Sequence, residues 1–473
     1  MSFPAAAALF LSAALVAPMP GGADGTRAAG SPQSQFQAAL SHYQAGQYSI
    51  AAEELEDLAR RLPPSFQVEE LLGFVYSAEG KALQATHAFA AAARIRPQSA
   101  AAWANLAVSH ARLGRNDLAA AEFERALRAQ PNDYEANHDF GEFYARQGKI
   151  AQAIPYLGKA QALRPSAYGN GYDLGLAYEK TGQLQVARQV IVRLLKTRPT
   201  ADLYNLLADV DEKLGNFVAA ANEYQQAAHM DPTEQNIFDW GSEFLLHHTW
   251  NAAIEVFSKG LERYPNSAPL AVGLGLALYW RGEYEAAVKA LMRATDLAPS
   301  DPHPYYFLSQ AYQRAPDQAT AVIARFRRFE ELHPLDARAA YYYGMSLWKG
   351  KEMETAGPDL DRVEALLKKA ERLDPSFTRA HLELGDLYSQ EGQYAKAVPE
   401  YQAALRLNPH LMDAYYRLGQ AYVHLGEKQL AEQEFKIHQQ LYTRHLAEMD
   451  QERQQIRQFV YSTRKGEADP PVH

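Results

Sequence analysis

Eleven prolines recur along the chain at a nearly constant spacing, and this spacing constrains the fold more than any other feature. The successive intervals are 34, 34, 34, 34, 33, 33, 34, 35, 41 and 34 residues. The prolines are Pro63, Pro97, Pro131, Pro165, Pro199, Pro232, Pro265, Pro299, Pro334, Pro375 and Pro409. A period of about 34 residues is typical of a solenoid of helix–turn–helix units. Such an array is expected to act through an extended surface rather than a catalytic pocket.

Other residues recur in register with the prolines. The third repeat carries Trp103, Leu106, Ala107, Gly114, Ala119, Phe123, Ala126 and Pro131, and the eleventh carries Leu384, Gly385, Tyr388, Gly392, Ala397, Tyr401, Ala404 and Pro409. The small residue at repeat position 8 lets the two helices of a repeat approach closely. Glycine at position 15 is expected to end the first helix in a left-handed cap, and the proline at position 32 ends the second helix.

This pattern resembles the tetratricopeptide repeat family. The resemblance implies an all-α fold, a right-handed superhelical solenoid of about twelve helix–turn–helix tetratricopeptide repeats with a C-terminal capping helix. We expect residues 1–30 to form a signal peptide and disordered linker, and 31–334 to hold repeats 1 to 9. Residues 335–375 would form an irregular tenth repeat with an extended turn, 376–441 repeats 11 and 12, and 442–473 the capping helix and a frayed tail.

The N-terminal segment predicts export. Residues 4–17 form the apolar run PAAAALFLSAALVA, followed by a stretch rich in Pro and Gly. An apolar core of this length before small residues is typical of a secretory signal peptide and is too short to span a membrane. We therefore expect a periplasmic or secreted protein, of bacterial origin, without stable membrane insertion of the mature chain. The alternative is a cytoplasmic protein with a disordered tail, since no Lys or Arg precedes the apolar run.

Two further segments depart from the regular pattern. The tenth repeat is seven residues longer than the period, and the excess lies in 351–360. This insertion is either neutral, as solenoids tolerate, or a loop that shapes a binding surface. Near the C-terminus, an apolar stripe of Tyr442, Leu446, Met449, Ile456 and Phe459 predicts that the capping helix packs on the last repeat.

The family resemblance also places residues on a groove, because the first helix of each repeat lines the concave face. Repeat position 13 is basic in repeats three to six: Arg112, Arg146, Lys180 and Lys213. These side chains are similar to cations that clamp a peptide carboxylate in some family members. The competing interpretation is a salt-bridged helix face, because Glu142 and Asp209 precede Arg146 and Lys213 by four residues.

A second groove region is aromatic. Repeats seven to ten place Phe238, Tyr279, Trp280, Tyr306, Tyr341 and Trp348 at groove positions. Exposed aromatic clusters are costly unless a partner covers them, and Trp and Tyr dominate binding hot spots. The alternative is that winding of the solenoid buries these rings against neighbouring helices.

No catalytic or cofactor motif is found in the sequence. The chain has no cysteine, which removes disulfides, Cys-based zinc sites and thiol nucleophiles. His247 and His248 are adjacent and therefore chelate poorly, so we interpret them as turn residues. The formal net charge of −9 disfavours nucleic-acid binding. We expect a non-enzymatic exported scaffold that binds peptide or protein partners, without cofactor or metal. The alternative is a substrate-presenting or cell-envelope assembly subunit that works with a separate enzyme or secretion complex.

Overall fold

The computed structural model describes residues 31–315, 318–351 and 359–465, with side chains other than those of 351 and 447–465. These residues form 24 α-helices and no strand. The chain divides into two compact units, the N-terminal unit Met1–Pro232 and the C-terminal unit Thr233–His473. The predicted signal peptide at 1–30 lies outside the described residues, as does the predicted frayed end from 466 onward.

The N-terminal unit holds six antiparallel helix pairs, one for each of repeats 1 to 6. The helices are α1 Pro32–Gln44, α2 Tyr48–Arg61, α3 Phe66–Ala78, α4 Ala82–Ile95, α5 Ala100–Arg112, α6 Asn116–Ala129, α7 Tyr134–Arg146, α8 Ile150–Leu163, α9 Tyr168–Lys180, α10 Leu184–Leu195, α11 Ala201–Lys213 and α12 Phe217–Met230. Each pair packs on the next, and the first helices α5, α7, α9 and α11 also contact one another in succession. These first helices therefore form a continuous layer.

The C-terminal unit repeats this arrangement for repeats 7 to 12. Its helices are α13 Glu234–Leu246, α14 Trp250–Arg263, α15 Ala268–Arg281, α16 Tyr284–Leu297, α17 Pro302–Tyr312, α18 Ala319–Leu332, α19 Ala337–Lys351, α20 Leu360–Leu373, α21 Thr378–Gln390, α22 Tyr394–Leu407, α23 Met412–Leu425 and α24 Lys428–Lys465. The extended turn predicted for the tenth repeat falls between α19 and α20, mostly outside the described residues.

The small residue at position 8 sits under the large side chain at position 24 of the same repeat. A methyl carbon added to Gly141 would lie 2.6 Å from Leu157 Cγ, and one added to Gly241 would lie 2.6 Å from the Phe257 ring. Both distances are far below van der Waals contact. The absence of a side chain is therefore what allows the two helices of a repeat to pack so closely, as the sequence predicts.

The turn within each repeat needs a left-handed residue. Gly114 and Gly148 have φ of +72° and +73°, which confirms the predicted cap and suits glycine because it lacks a Cβ. In the seventh repeat His248 takes this place with φ of +56°. The interpretation of His247 and His248 as turn residues is therefore confirmed at His248, at the cost of local backbone strain.

The C-terminal helix differs from the expected cap. The second helix of repeat 12 and the predicted capping segment form one helix, α24, of 38 residues. Its first part covers α23, where the Phe435 ring lies over Gly419. Tyr442 and Leu446, which were expected to pack on the last repeat, are instead exposed. The reason is length, because α23 has only 14 residues and a straight helix of more than twice that length extends beyond it.

Candidate interaction surfaces on the first helices

The four predicted groove cations form a column of exposed side chains at the C-terminal ends of α5, α7, α9 and α11. We call Arg112, Arg146, Lys180 and Lys213 the basic column. Arg146 donates to Glu142 Oε1 at 2.6 Å, as the i,i+4 spacing predicts. Lys180 Nζ lies 3.3 Å from Glu179 Oε2. Arg112 has no ion-pair partner in the described part of the chain.

One buried carboxylate holds two members of the basic column. Glu179 is almost inaccessible to solvent and pairs with Lys213 of the next first helix as well as with Lys180. Lys213 therefore pairs across repeats rather than with Asp209 four residues earlier. Asp209 Oδ1 instead accepts a hydrogen bond from Tyr224 Oη at 2.5 Å. Three of the four cations are thus already paired with acidic side chains of the same face, which favours the salt-bridged interpretation at those positions.

Half-buried carboxyl groups lie on the same face, and sequence reasoning did not single them out. Burial raises the pKa of Asp139 on α7 to about 7, with further contributions from nearby Glu142 and Glu135. Burial likewise raises the pKa of Asp173 on α9 to about 6. The two residues occupy the same position in adjacent repeats, 34 residues apart. The 34-residue spacing of the two aspartates could have been found in the sequence, but their half-burial on this face could not.

The side chain of His138 is held in place beside these carboxyl groups. Its Nδ1 lies 3.1 Å from Asn170 Oδ1. The amide nitrogen of Asn170 donates to Leu157 O at 2.9 Å and to Gln161 Oε1 at 2.8 Å. Both donors point away from His138, so Asn170 Oδ1 is the acceptor and His138 Nδ1 carries the hydrogen.

Each unit contains a set of side chains with the composition of cation ligands, although the sequence predicted no metal. His138, Asp139 and Glu142 each place a ligand atom within 4.8 Å of the others. In the C-terminal unit, Glu371, His381 and Glu400 do the same. There, His381 Nε2 donates to the carbonyl of Pro375 at 3.2 Å and Nδ1 lies 2.8 Å from Glu400 Oε2. That second set is an internally bonded cluster that ties α20, α21 and α22 together.

The aromatic residues predicted for the groove divide into a surface group and a core group. Trp280 is 61% exposed and Tyr306 is 46% exposed, whereas Phe238 and Tyr279 are half-buried. We call these four residues the aromatic surface. Trp280 stacks on Trp250 with ring centroids 6.1 Å apart and meets Tyr279 edge-on at 5.4 Å. The sequence did not indicate Trp250 as a surface residue, because Trp250 begins α14, the second helix of its repeat, and the expected groove positions lie on first helices.

Tyr341 and Trp348 do not line a surface, and their prediction as groove residues was wrong. Tyr341 is 3% exposed and Trp348 is 2% exposed. The Tyr341 ring packs edge-on against Phe377 with centroids 5.0 Å apart. Trp348 Nε1 donates to Gln390 Oε1 at 3.0 Å. Residues of the following repeat therefore cover both rings. The alternative interpretation, burial of these rings against neighbouring helices, is correct for Tyr341 and Trp348.

Within the described residues, no helix combines the length and the apolar character that a membrane-spanning segment needs.

The comparisons with known sequences agree with the repeat pattern. Profiles described as "Tetratricopeptide repeat" match residues 72–134, 134–166, 172–234, 244–311 and 308–371, and one described as "TPR repeat" matches 385–426. "Tetratricopeptide repeat protein 37" from Xenopus laevis is 26% identical over 227 residues, covering 46% of this chain and 13% of that protein. "Protein O-mannosyl-transferase TMTC3" from Mus musculus is 24% identical over 212 residues, covering 42% of this chain and 21% of that protein.

Solved structures align with this chain at low sequence identity. The structure of "Naa15/Naa10 bound to HypK-THB" aligns with a TM-score of 0.36 and 16% identity, covering 86% of this chain and 68% of that chain. The present chain spans less than a quarter of the length of the curated relatives it matches. The profile matches and the repeated helix pairs lead to one conclusion: the chain belongs to the tetratricopeptide repeat family of protein-interaction scaffolds.

Proposed function

We propose that this protein is an exported scaffold that binds an extended segment of a protein partner along its first helices. The observation that carries the proposal is the exposure of Trp280, whose ring stacks on Trp250 and stands 61% accessible. An aromatic ring of this size is costly to leave in water and is a typical anchor of a binding hot spot. Tyr306, on the next first helix α17, adds a second exposed aromatic ring to the aromatic surface.

The rigid stacking of the repeats supports binding without large reorganisation. Trp250 and Tyr279 hold the Trp280 ring from two sides, so less side-chain freedom is lost when a partner covers it. A partner would gain affinity from burying the rings and specificity from the charges that surround them.

The experiment is affinity capture from native envelope extract, followed by purification of the recovered partner and measurement of its Kd. The variant Trp280→Ala/Tyr306→Ala should weaken binding at least about 30-fold, because loss of a hot-spot aromatic side chain costs roughly 2 kcal/mol or more. The control Leu407→Ala/Tyr442→Ala removes exposed apolar side chains outside the first helices. Equal loss in both variants, or no loss in the first, would refute the proposal.

Export is a separate part of the proposal and rests on the apolar run at residues 4–17. Cell fractionation with N-terminal sequencing of the mature chain tests it. Recovery of the uncleaved chain in the cytoplasm would overturn it.

We infer a binding role rather than a catalytic one, because both surfaces are built from stacked rings and ion pairs on rigid helices. The transferase activity in the name of the Mus musculus relative concerns a protein of which the matched region is only 21%. Turnover of a substrate by the purified chain alone would contradict this inference.

A further inference from the structure

The second half of helix α24 extends beyond the last repeat. At 1.5 Å per residue, the 38 residues of α24 span about 57 Å, whereas the 14 residues of α23 span about 21 Å. All five residues from 442 to 446, which make more than one full turn, are exposed. The helix therefore leaves the cover of the solenoid near residue 442, and we call residues 442–465 the projecting half.

The apolar face of α24 that packs on α23 continues along the projecting half. Phe435 lies over Gly419 of α23, and Tyr442 follows Phe435 by seven residues. The next apolar residues in this register are Leu446, Met449, Ile456 and Val460. They follow the heptad repeat of a coiled coil, with Leu446 and Val460 at a and the others at d. Because helices in proteins are stabilised mainly by packing of their apolar face, a second helix is expected to cover this stripe.

The charged residues of the projecting half are segregated along its length, and this indicates what the second helix is. The charged residues of 446–452 are all acidic, and those of 453–465 are all basic. They are Glu448, Asp450 and Glu452 in the first segment and Arg453, Arg457, Arg464 and Lys465 in the second. Two copies of this helix that run in opposite directions bring the acidic segment of each against the basic segment of the other. The projecting half is therefore complementary in charge to a reversed copy of itself.

We propose that the projecting half pairs with the same segment of a second copy of this chain as an antiparallel two-helix coiled coil. In the register that brings Asp450 of one copy beside Arg457 of the other, the helices overlap over residues 444–465, and two-fold symmetry repeats this ion pair. Arg453 then lies at an a position opposite Ile456 of the other copy, where a lone charged residue fixes the register at a cost in stability. The second copy runs antiparallel to α24, as α23 does, and covers the apolar face where α23 ends. Tyr442 lies outside this overlap.

The first test is sedimentation velocity of the full chain over a wide range of protein concentration, which should show a reversible monomer–dimer equilibrium. The variant Met449→Glu/Ile456→Glu places charges at two d positions and should weaken the dimer at least about 30-fold, because burying an unpaired carboxylate is costly. The control Gln451→Glu/Gln458→Glu adds the same charge two residues later in each case, at f positions on the opposite side of the helix. It should dimerise like the parent chain.

A charge exchange tests the direction of pairing. Arg457→Glu should weaken the dimer at least about tenfold, because it brings two acidic side chains together at each of the two symmetric positions. The double variant Asp450→Arg/Arg457→Glu exchanges the two charges and should restore the dimer of the parent chain. In a parallel pair an e residue faces a g residue, so residue 457 would face Glu452 of the other copy and the exchange would restore nothing.

Four results would overturn the inference. These are a monomer at every concentration, a dimer that survives Met449→Glu/Ile456→Glu, equal weakening by the control variant, and an exchange variant that stays as weak as Arg457→Glu. Circular dichroism melting establishes that the repeats of each variant are folded, which is expected because the substituted residues lie beyond the last repeat. The experiment uses this chain alone, so its outcome is independent of partner capture through Trp280 and Tyr306.

Discussion

At the residue scale, chemically different side chains perform the same task in several repeats. The proline that ends a second helix leaves a carbonyl, and in these repeats the side chain six residues later donates to it. Trp103 Nε1 bonds Pro97 O at 3.0 Å, Asn137 Nδ2 bonds Pro131 O at 3.1 Å and Tyr305 Oη bonds Pro299 O at 3.2 Å. An unpaired backbone carbonyl is costly in a packed interior, and Trp, Asn and Tyr each have the reach to satisfy it. Where this position lacks a donor, another side chain can serve, as Gln161 does for Pro165 O at 2.8 Å.

The close packing at position 8 predicts opposite effects for two glycines. Gly141→Ala should lower the free energy of unfolding by about 1–3 kcal/mol, because the new methyl group would overlap Leu157. Gly158 lies in α8 with nothing within 4 Å of an added Cβ, so Gly158→Ala should stabilise the protein by about 0.5–1 kcal/mol. Urea unfolding of the two variants measures the difference, and destabilisation of equal size in both would contradict the packing argument.

The stability of the N-terminal unit should depend on the protonation of Glu223. Burial, followed by the neighbouring charge of Asp211, raises the pKa of Glu223 to about 8. Asp211 Oδ1 accepts a hydrogen bond from Arg188 Nε at 2.7 Å. A carboxyl group whose pKa is raised on folding stabilises the fold fully below its unfolded pKa of about 4.3, and this contribution is lost as the pH rises through about 8.

The variant Glu223→Gln keeps the shape and removes the titration. It should leave stability at pH 5 nearly unchanged and raise it by roughly 2 kcal/mol at pH 9 relative to the parent chain. Urea denaturation at the two pH values is the measurement. A parallel loss of stability in both proteins between pH 5 and pH 9 would show that Glu223 is not responsible.

At the element scale, helix length decides which side chains are covered. Most helices in the described part of the chain have 13 or 14 residues, so each helix covers its neighbour along nearly its whole length. Helix α24 has 38 residues against 14 in α23, and only its first part has a partner helix of the same repeat to cover. This explains why an apolar stripe in the sequence does not establish burial.

The two parts of α24 should therefore respond differently to truncation of a side chain. Phe435→Ala removes a ring that lies over Gly419 and should cost about 2–4 kcal/mol. Tyr442→Ala removes an exposed ring and should change stability by less than about 0.5 kcal/mol. Thermal unfolding distinguishes them, and comparable losses would mean that the second part of α24 is also covered.

At the scale of the whole molecule, repeats are coupled through shared cores. In the C-terminal unit one apolar cluster runs from Leu278 to Ala431, through α15 to α24. Trp348 and Tyr341 lie inside this cluster. Because each repeat covers the apolar residues of the previous one, a substitution in the tenth repeat should affect the stability of its neighbours as well.

Two tryptophans test this coupling. Trp348→Ala should destabilise the C-terminal unit by about 3–5 kcal/mol and increase hydrogen exchange in α17 and α21 as well as α19. Trp280→Ala should change stability by about 1 kcal/mol or less, since its ring is mostly exposed. Faster exchange confined to α19 would indicate that the repeats unfold independently.

The sequence predicted the helix pairs, the glycine turns and the close contacts of Gly141 with accuracy because each depends on residues within one period. It also identified the aromatic surface at Trp280 and Tyr306. It could not identify the half-burial of Asp139 and Asp173, because that burial is a property of adjacent helices together.

The spacing of proline, glycine and apolar residues was sufficient to predict the all-α repeat architecture, because this spacing follows from local helix geometry. The packing of the helices was needed to distinguish exposed from buried groove positions and to identify the ion pairs, because burial and ion pairing depend on neighbours in other repeats. Phe377 packs against Tyr341 and Gln390 accepts a hydrogen bond from Trp348. Glu179 on α9 pairs with Lys213 on the neighbouring first helix α11. The residue pattern of a single repeat does not predict these contacts, because each joins two different repeats.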